Sequence, residues 1–272
     1  MNKPILLDGA AGTLLWNMAD AALVPRVPVW NYNIEHPEFV TEIHRRYIDA
    51  GCDMIQTNTF TANRPDVTRA SDYTVNEVIS AAVGLAKKAA EGTDTKVYLS
   101  FGPLGTMLEP FGTLSFNEAA DIYSEMVSAG ASAGADAIML ETFMDVRMAR
   151  IAAIEAVKTG LPVICSMTFH KRHRTMMGDT VQKIVDTLSP LGISGIGMNC
   201  SAGPVEALEI IREFYEKTSL PLYFKPNSGM GDTYSAQQFA REVQPALDFV
   251  SYIGGCCGTD DEYIREIKKY IV

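Results

Sequence analysis

Eight short β-rich runs, each followed by a stretch of helical length, constrain the fold of this chain more than any other feature. The runs cover residues 5–9, 54–60, 97–102, 137–142, 163–169, 195–200, 222–227 and 252–256. Most are apolar without clean alternation, the pattern of a parallel strand buried on both faces. Between them, residues 37–50 place Phe39, Val40, Ile43, Tyr47 and Ile48 at helical spacing. Residues 73–91 and 116–134 are longer and Ala-rich, and 146–158, 181–188, 204–217, 235–247 and 260–270 complete the series. Eight β-then-α units in about 250 residues match the size and rhythm of a single-domain (β/α)8 TIM barrel, with residues 1–272 as one domain. A doubly wound sheet is disfavoured, because no Gly-x-Gly-x-x-Gly turn follows the first run and no P-loop is present. No proline-rich linker, low-complexity tract or short repeat interrupts the rhythm.

Charge narrows the partners. Lys plus Arg number 23 against 33 Asp plus Glu, a formal net charge of -10. This argues against nucleic acid, which calls for a basic face. No apolar run approaches the roughly 18 residues of a membrane span. The N-terminus reaches Asp8 too soon for a signal peptide, so a cytoplasmic location with no membrane contact is the expectation.

In such a barrel the chemistry sits at the C-terminal ends of the strands and in the loops that follow. Asp8, Asn58, Glu141, Cys200, Asn227, Cys256 and Cys257 all fall there. The sharpest motif is Met198-Asn199-Cys200-Ser201 together with Gly254-Gly255-Cys256-Cys257-Gly258-Thr259. Three thiolates are a soft donor set that suits zinc rather than magnesium or calcium. The sixth and eighth strands are near neighbours around the rim, so Cys200 can approach the pair. Adjacent cysteines in a regular strand point to opposite faces, so the chain must bend for both to meet one ion. Gly254, Gly255 and Gly258 offer that freedom. Three protein ligands with a fourth position open are the mark of a catalytic zinc. The competing readings are buried thiols acting as small hydrophobes, which suits Cys52 and Cys165, and a vicinal disulfide.

Leu7-Asp8-Gly9-Ala10-Ala11-Gly12-Thr13 delivers a carboxylate and then a small-residue turn. Its backbone N–H groups can receive a substrate carboxylate while Asp8 receives an ammonium. An Asp-Gly turn is, however, most often only a turn. Glu141 ends an apolar strand, whereas Asp145 reads as the N-cap of the next helix. His44 reads as a surface or packing residue, His170-Lys171-Arg172-His173-Arg174 as a solvated basic loop, and Met176-Met177 as core filler.

Together these motifs resemble the homocysteine-binding methyltransferase family. It includes betaine– and S-methylmethionine–homocysteine methyltransferases and the homocysteine module of cobalamin-dependent methionine synthase. The resemblance covers essentially the whole chain and rests above all on Asn199-Cys200 with Gly255-Cys256-Cys257-Gly258. It implies a (β/α)8 barrel in which Cys200, Cys256 and Cys257 hold Zn2+ and homocysteine binds through its sulfur as the fourth ligand. By the same resemblance, Asp8 and Glu141 hold the ammonium of homocysteine, and the backbone of Gly9, Ala10 and Ala11 faces its carboxylate. Asn227 looks like an oxygen ligand that fills the zinc when substrate is absent. Asp8-Gly9-Ala10-Ala11-Gly12-Thr13, Thr57-Asn58-Thr59-Phe60 and Met167-Thr168-Phe169 look closest to the cobalamin-dependent branch. Gln56 stands where many members have Glu, and no catalytic role is assigned to it. Met176-Met177-Gly178-Asp179 also departs from the usual Leu-Thr-Gly type. The sequence ends at Val272, directly after the barrel pattern, without an Asp-x-His-x-x-Gly corrinoid motif or a long C-terminal extension. The resemblance therefore implies a zinc-dependent methylation of homocysteine to methionine, with methylcobalamin on a separate corrinoid protein as donor. S-Methylmethionine, S-adenosylmethionine or betaine is the alternative donor, and a non-catalytic zinc or thiol-binding module is the contrasting class.

Overall fold

Each β-rich run of the sequence becomes one parallel strand in the computed structural model, which describes residues 3–229 and 233–271. The strands are β1 (Ile5–Leu6), β2 (Met54–Gln56), β3 (Lys96–Phe101), β4 (Ala137–Phe143), β5 (Val163–Met167), β6 (Gly195–Cys200), β7 (Leu222–Pro226) and β8 (Tyr252–Ile253). They hydrogen-bond in the order β1-β8-β7-β6-β5-β4-β3-β2. A bridge from Leu7 to Met54 brings the two outer strands together, so the sheet curls into a barrel. Several ladders stop before the apolar runs do. At 8–9, 57–60, 168–169 and 254–256 the chain leaves the sheet to line the mouth.

The helices are α1 (Gly12–Ala21), α2 (Tyr32–Glu35), α3 (Pro37–Asp49), α4 (Arg64–Ala70), α5 (Val75–Ala90), α6 (Phe116–Ser132), α7 (Val146–Val157), α8 (Val181–Leu188), α9 (Pro204–Lys217), α10 (Ala236–Val243) and α11 (Asp261–Lys268). Eight of them, α3 and α5 to α11, are the helices expected from the pattern. Their starts follow local chemistry. Thr74, Ser115 and Ser235 each form a capping box with Glu77, Glu118 and Gln238, and Asp145 caps α7 by accepting from the Arg147 N–H. Three further helices were not expected. The small-residue turn after β1 runs on into α1, which buries Leu15 and Ala19 four residues apart. Asn63 caps α4 through the Asp66 N–H, with Pro65 in its first turn.

Two layers fill the barrel. Leu7, Met54, Tyr98, Met139, Ile164 and Tyr223 form an apolar cluster. Two residues further along five of these strands stand Gln56, Ser100, Glu141, Ser166 and Lys225. A period of two keeps both members of each pair on one face, so the interior turns from apolar to polar toward the C-terminal mouth. Gly197 permits this packing, since a Cβ there would lie 1.9 Å from the Tyr223 carbonyl oxygen. A second, larger core packs the helices against the outer face of the sheet.

Of the two readings of His44 the structure supports packing: it is buried, and burial pushes its imidazole down to about 4. The basic loop is exposed at His170, Arg172 and Arg174, and His173 lies 3.4 Å from Glu209 and 3.8 Å from Glu213 on α9. One expectation is corrected: Met176 is 69% exposed and fills no core gap. Among the described residues no helix is long and apolar enough to cross a membrane.

Candidate active site

Three sulfurs meet at the mouth. Cys200 closes β6, and Cys256 and Cys257 follow β8. Cys200 Sγ is 3.0 Å from Cys256 Sγ and 3.5 Å from Cys257 Sγ. All three are free thiols within 4.8 Å of one another. Among the described residues no other group of three His, Cys, Asp or Glu side chains comes this close. The bend that the pair requires is distributed unequally. Gly258 has φ 80, while Cys200 and Ser201 themselves adopt φ 54 and 65. Few residues other than glycine enter that region, and they remain there only when their surroundings hold them. Here Ser201 Oγ donates to the Asn199 carbonyl and accepts the Phe169 N–H at 2.7 Å. Gly255 supplies room rather than an unusual dihedral, because a Cβ there would sit 2.4 Å from Thr259 Oγ1. Bonds from Cys200 and Cys256 hold the Cys257 thiol far below its ordinary range, at about 3, while the Cys200 thiol is pushed up.

Asn199 fastens this corner to the neighbouring strands. Its Oδ1 accepts the Thr142 N–H at 2.8 Å and the Ser166 hydroxyl at 2.6 Å. Its Nδ2 donates to Thr142 Oγ1 at 2.7 Å and to Glu141 Oε2 at 3.3 Å. Thr142, like Cys200, has a left-handed backbone, with φ 65. The Glu141 carboxylate also accepts the Ser100 hydroxyl. Burial pushes the Glu141 carboxyl up to about 7, against the opposing pull of the Lys225 ammonium.

Asp8 has a different environment. Its Oδ1 accepts from Lys225 Nζ at 2.8 Å and from the Tyr98 hydroxyl at 2.9 Å, and its Oδ2 accepts the Gln56 N–H at 2.7 Å. Lys225 Nζ donates further to Gln56 Oε1 at 2.8 Å. Lys225 is 1% exposed and Asp8 2%. Burial alone would depress the lysine, but the Asp8 and Glu141 carboxylates outweigh it and raise it above its ordinary value.

A cavity of about 350 Å³ joins these parts. Cys200, Cys256, Cys257, Glu141, Gln56 and Lys225 line it, together with the backbone from Gly9 to Thr13. The first turn of α1 reaches it without a side-chain cap, so N–H groups there are open to an anion. Of the residues singled out in the sequence, the three cysteines, Glu141, Asn58, Gly9, Ala10 and Ala11 share this cavity. Asp8 does not line it, and the place expected for a substrate ammonium beside Asp8 is held by Lys225. Asn227 is buried next to the cysteines, where its Oδ1 accepts the Cys257 N–H at 3.1 Å. Sequence reasoning missed Lys225, Tyr98 and the clamp made by the Asn199 side chain. Lys225 did carry a signal, because a lysine inside Leu-Tyr-Phe-Lys-Pro on a buried strand demands a counterion.

The donor chemistry fits a zinc ion. Three thiolates form a soft set, and three protein ligands leave one position for another donor.

The family model for homocysteine S-methyltransferase matches residues 5–271. Methionine synthases of Mycobacterium leprae and Mycobacterium tuberculosis are each 30% identical to the chain over 266 residues. Those matches cover 88% of this chain and 22% of the relatives' length. The homocysteine methyltransferase MmuM of Escherichia coli in its metallated form superposes with a TM-score of 0.80 at 23% identity, covering 98% of this chain and 96% of that one. Its apo form gives a TM-score of 0.78 at 24% identity, with 99% and 96% covered. These structural likenesses share the barrel fold.

Proposed function

The chain belongs to the homocysteine S-methyltransferase family, and from that membership we propose that it methylates the sulfur of homocysteine to give methionine. The observation that carries this reading is the cluster of three cysteine sulfurs on the wall of the cavity. Cys200, Cys256 and Cys257 would hold zinc, with Asn227 as the oxygen donor in the absence of acceptor. Bound zinc lowers the pKa of a coordinated thiol, so that the acceptor sulfur is a thiolate at neutral pH. That sulfur supplies the electron pair of the new S–C bond, and the donor leaves with the pair of the bond that breaks.

The chain's own residues orient the acceptor. Glu141 takes its ammonium, and the uncapped first turn of α1, reached through Gly9, Ala10 and Ala11, takes its carboxylate. Asn199 holds Cys200 and Glu141 in register, so that the sulfur and the ammonium of one ligand are met together.

The donor in this reading is methylcobalamin carried by a separate corrinoid protein. Trp16 lines the cavity and Val205 the neighbouring groove, and both are exposed. Exposed apolar side chains at a catalytic mouth suit a bulky donor presented by another protein. A groove of about 990 Å³ between the loops after β5, β6 and β7 opens beside Ser201. Methionine formation from homocysteine by the zinc-loaded protein tests the reading, with methylcobalamin and S-methylmethionine as parallel donors. Turnover with methylcobalamin is expected. Turnover with S-methylmethionine alone would overturn the donor. Turnover with neither, and no homocysteine binding, would favour a non-catalytic zinc module.

A further inference from the structure

A buried ion pair behind the cavity wall, with Lys225 at the wall itself, raises a question of charge. Two carboxylates, Asp8 and Glu141, stand at the polar floor of the mouth, yet an amino-acid thiol brings a single ammonium. Asp8 already accepts from three donors of the chain on its two oxygens, one of them a full ammonium. A second ammonium at the same carboxylate would meet the like charge of Lys225. Lys225 is fixed in turn by Asp8 and by Gln56 Oε1. A glutamate at position 56 would add a further negative charge, whereas the neutral glutamine lets one lysine balance one aspartate. The fixed charges of Asp8 and Lys225 cancel, leaving one carboxylate. Glu141 is held less completely, by the Ser100 hydroxyl and by a long bond of 3.3 Å from Asn199.

We propose that Lys225 is a specificity-determining residue: its side chain is a resident ammonium that occupies Asp8, so that Glu141 alone reads the amino group of the acceptor thiol. This rests on the cavity being the homocysteine pocket proposed above. In this assignment Asp8 and Gln56 are positioning residues that act through Lys225.

The test is titration calorimetry of the zinc-loaded protein with homocysteine and with 4-mercaptobutanoate, which keeps the thiol and carboxylate but lacks the amine. The selectivity ratio, homocysteine over 4-mercaptobutanoate, isolates the amino group. A charged hydrogen bond of about 1.5–3 kcal/mol corresponds to a ratio of roughly ten to a hundred. Glu141→Gln is expected to bring the ratio down to within about threefold of unity, and Asp8→Asn to leave it near the wild-type value. Collapse of the ratio in Asp8→Asn with Glu141→Gln unaffected would overturn the proposal. The double variant Asp8→Asn, Lys225→Met removes both charges of the pair and guards against misfolding of the single variant. It too keeps the wild-type ratio if Lys225 is the resident ammonium, and loses it if Asp8 reads the ligand. Failure of the wild-type protein to bind either thiol would count against the homocysteine pocket itself, a result separate from either pattern of ratios.

Discussion

The cysteine cluster and the Asp8–Lys225 cluster use the same device, polar side chains delivered by the ends of buried strands, but they differ in completeness. Asp8, Lys225, Gln56 and Tyr98 satisfy one another inside the chain. Among the described residues, the three sulfurs have only one another and the far end of the Asn199 amide, 3.8 Å from Cys256. A donor set with no cation of its own is open to one from outside, whereas a carboxylate with a resident ammonium is closed. The contrast separates a part of the pocket built to receive from a part built to support.

The largest effects should fall on the open cluster. Cys200→Ser, Cys256→Ser and Cys257→Ser each replace a soft thiolate with a poor zinc ligand. Each should reduce zinc content, measured by atomic absorption after dialysis, to a small fraction of wild type. Full retention in all three would remove the metal site. The closed cluster should respond through stability instead. Lys225→Met leaves a buried aspartate unpaired and should cost about 3–5 kcal/mol in urea unfolding. The double variant Asp8→Asn, Lys225→Met should recover most of that loss, since an apolar and neutral replacement of both partners is far cheaper than breaking the pair. Equal losses in the single and double variants would mean that the pair is not coupled.

The same contrast explains what could be read from the sequence. The eight β/α units were legible because parallel strands buried on both faces leave continuous apolar runs. The cysteine cluster was legible because its parts are rare residues in glycine-rich strand ends. The Asp8–Lys225 pair joins residues 217 positions apart, and neither residue's local context names its partner. Only the barrel's closure, which sets β1 beside β8 and β8 beside β7, brings them together. The left-handed backbone at Thr142, Cys200 and Ser201 was hidden for a related reason. The sequence suggested glycines as the source of the bend, while long-range bonds from Asn199 and Phe169 hold these non-glycine residues in place. Helix α1 was hidden because its entry is a run of small residues with no capping side chain.

Beside the open cluster stands Asn199, which touches Glu141, Thr142 and Cys256. Asn199→Ala should lower zinc affinity by roughly ten- to a hundredfold, the range typical of residues that orient metal ligands without binding the metal. Competition with a chromophoric chelator would measure it. An unchanged affinity would show that the strand ends hold Cys200 without help from the amide.

The smallest effect tests which carboxylate faces the ligand. Burial raises the Glu141 carboxyl to about 7, so near neutrality it is shared between two forms. The neutral form offers no charge to an ammonium; the carboxylate does. Homocysteine and 4-mercaptobutanoate carry the same thiol and carboxylate, so the titrations of those groups cancel in the ratio of their affinities. That ratio should therefore be low at acid pH, rise through about 7 and level off above it. Calorimetry at steps between about pH 5.5 and 8 would resolve a change on the order of tenfold. In Glu141→Gln the profile should be flat. A flat wild-type profile would mean that the amino group is read by something other than the one carboxylate the lysine leaves free.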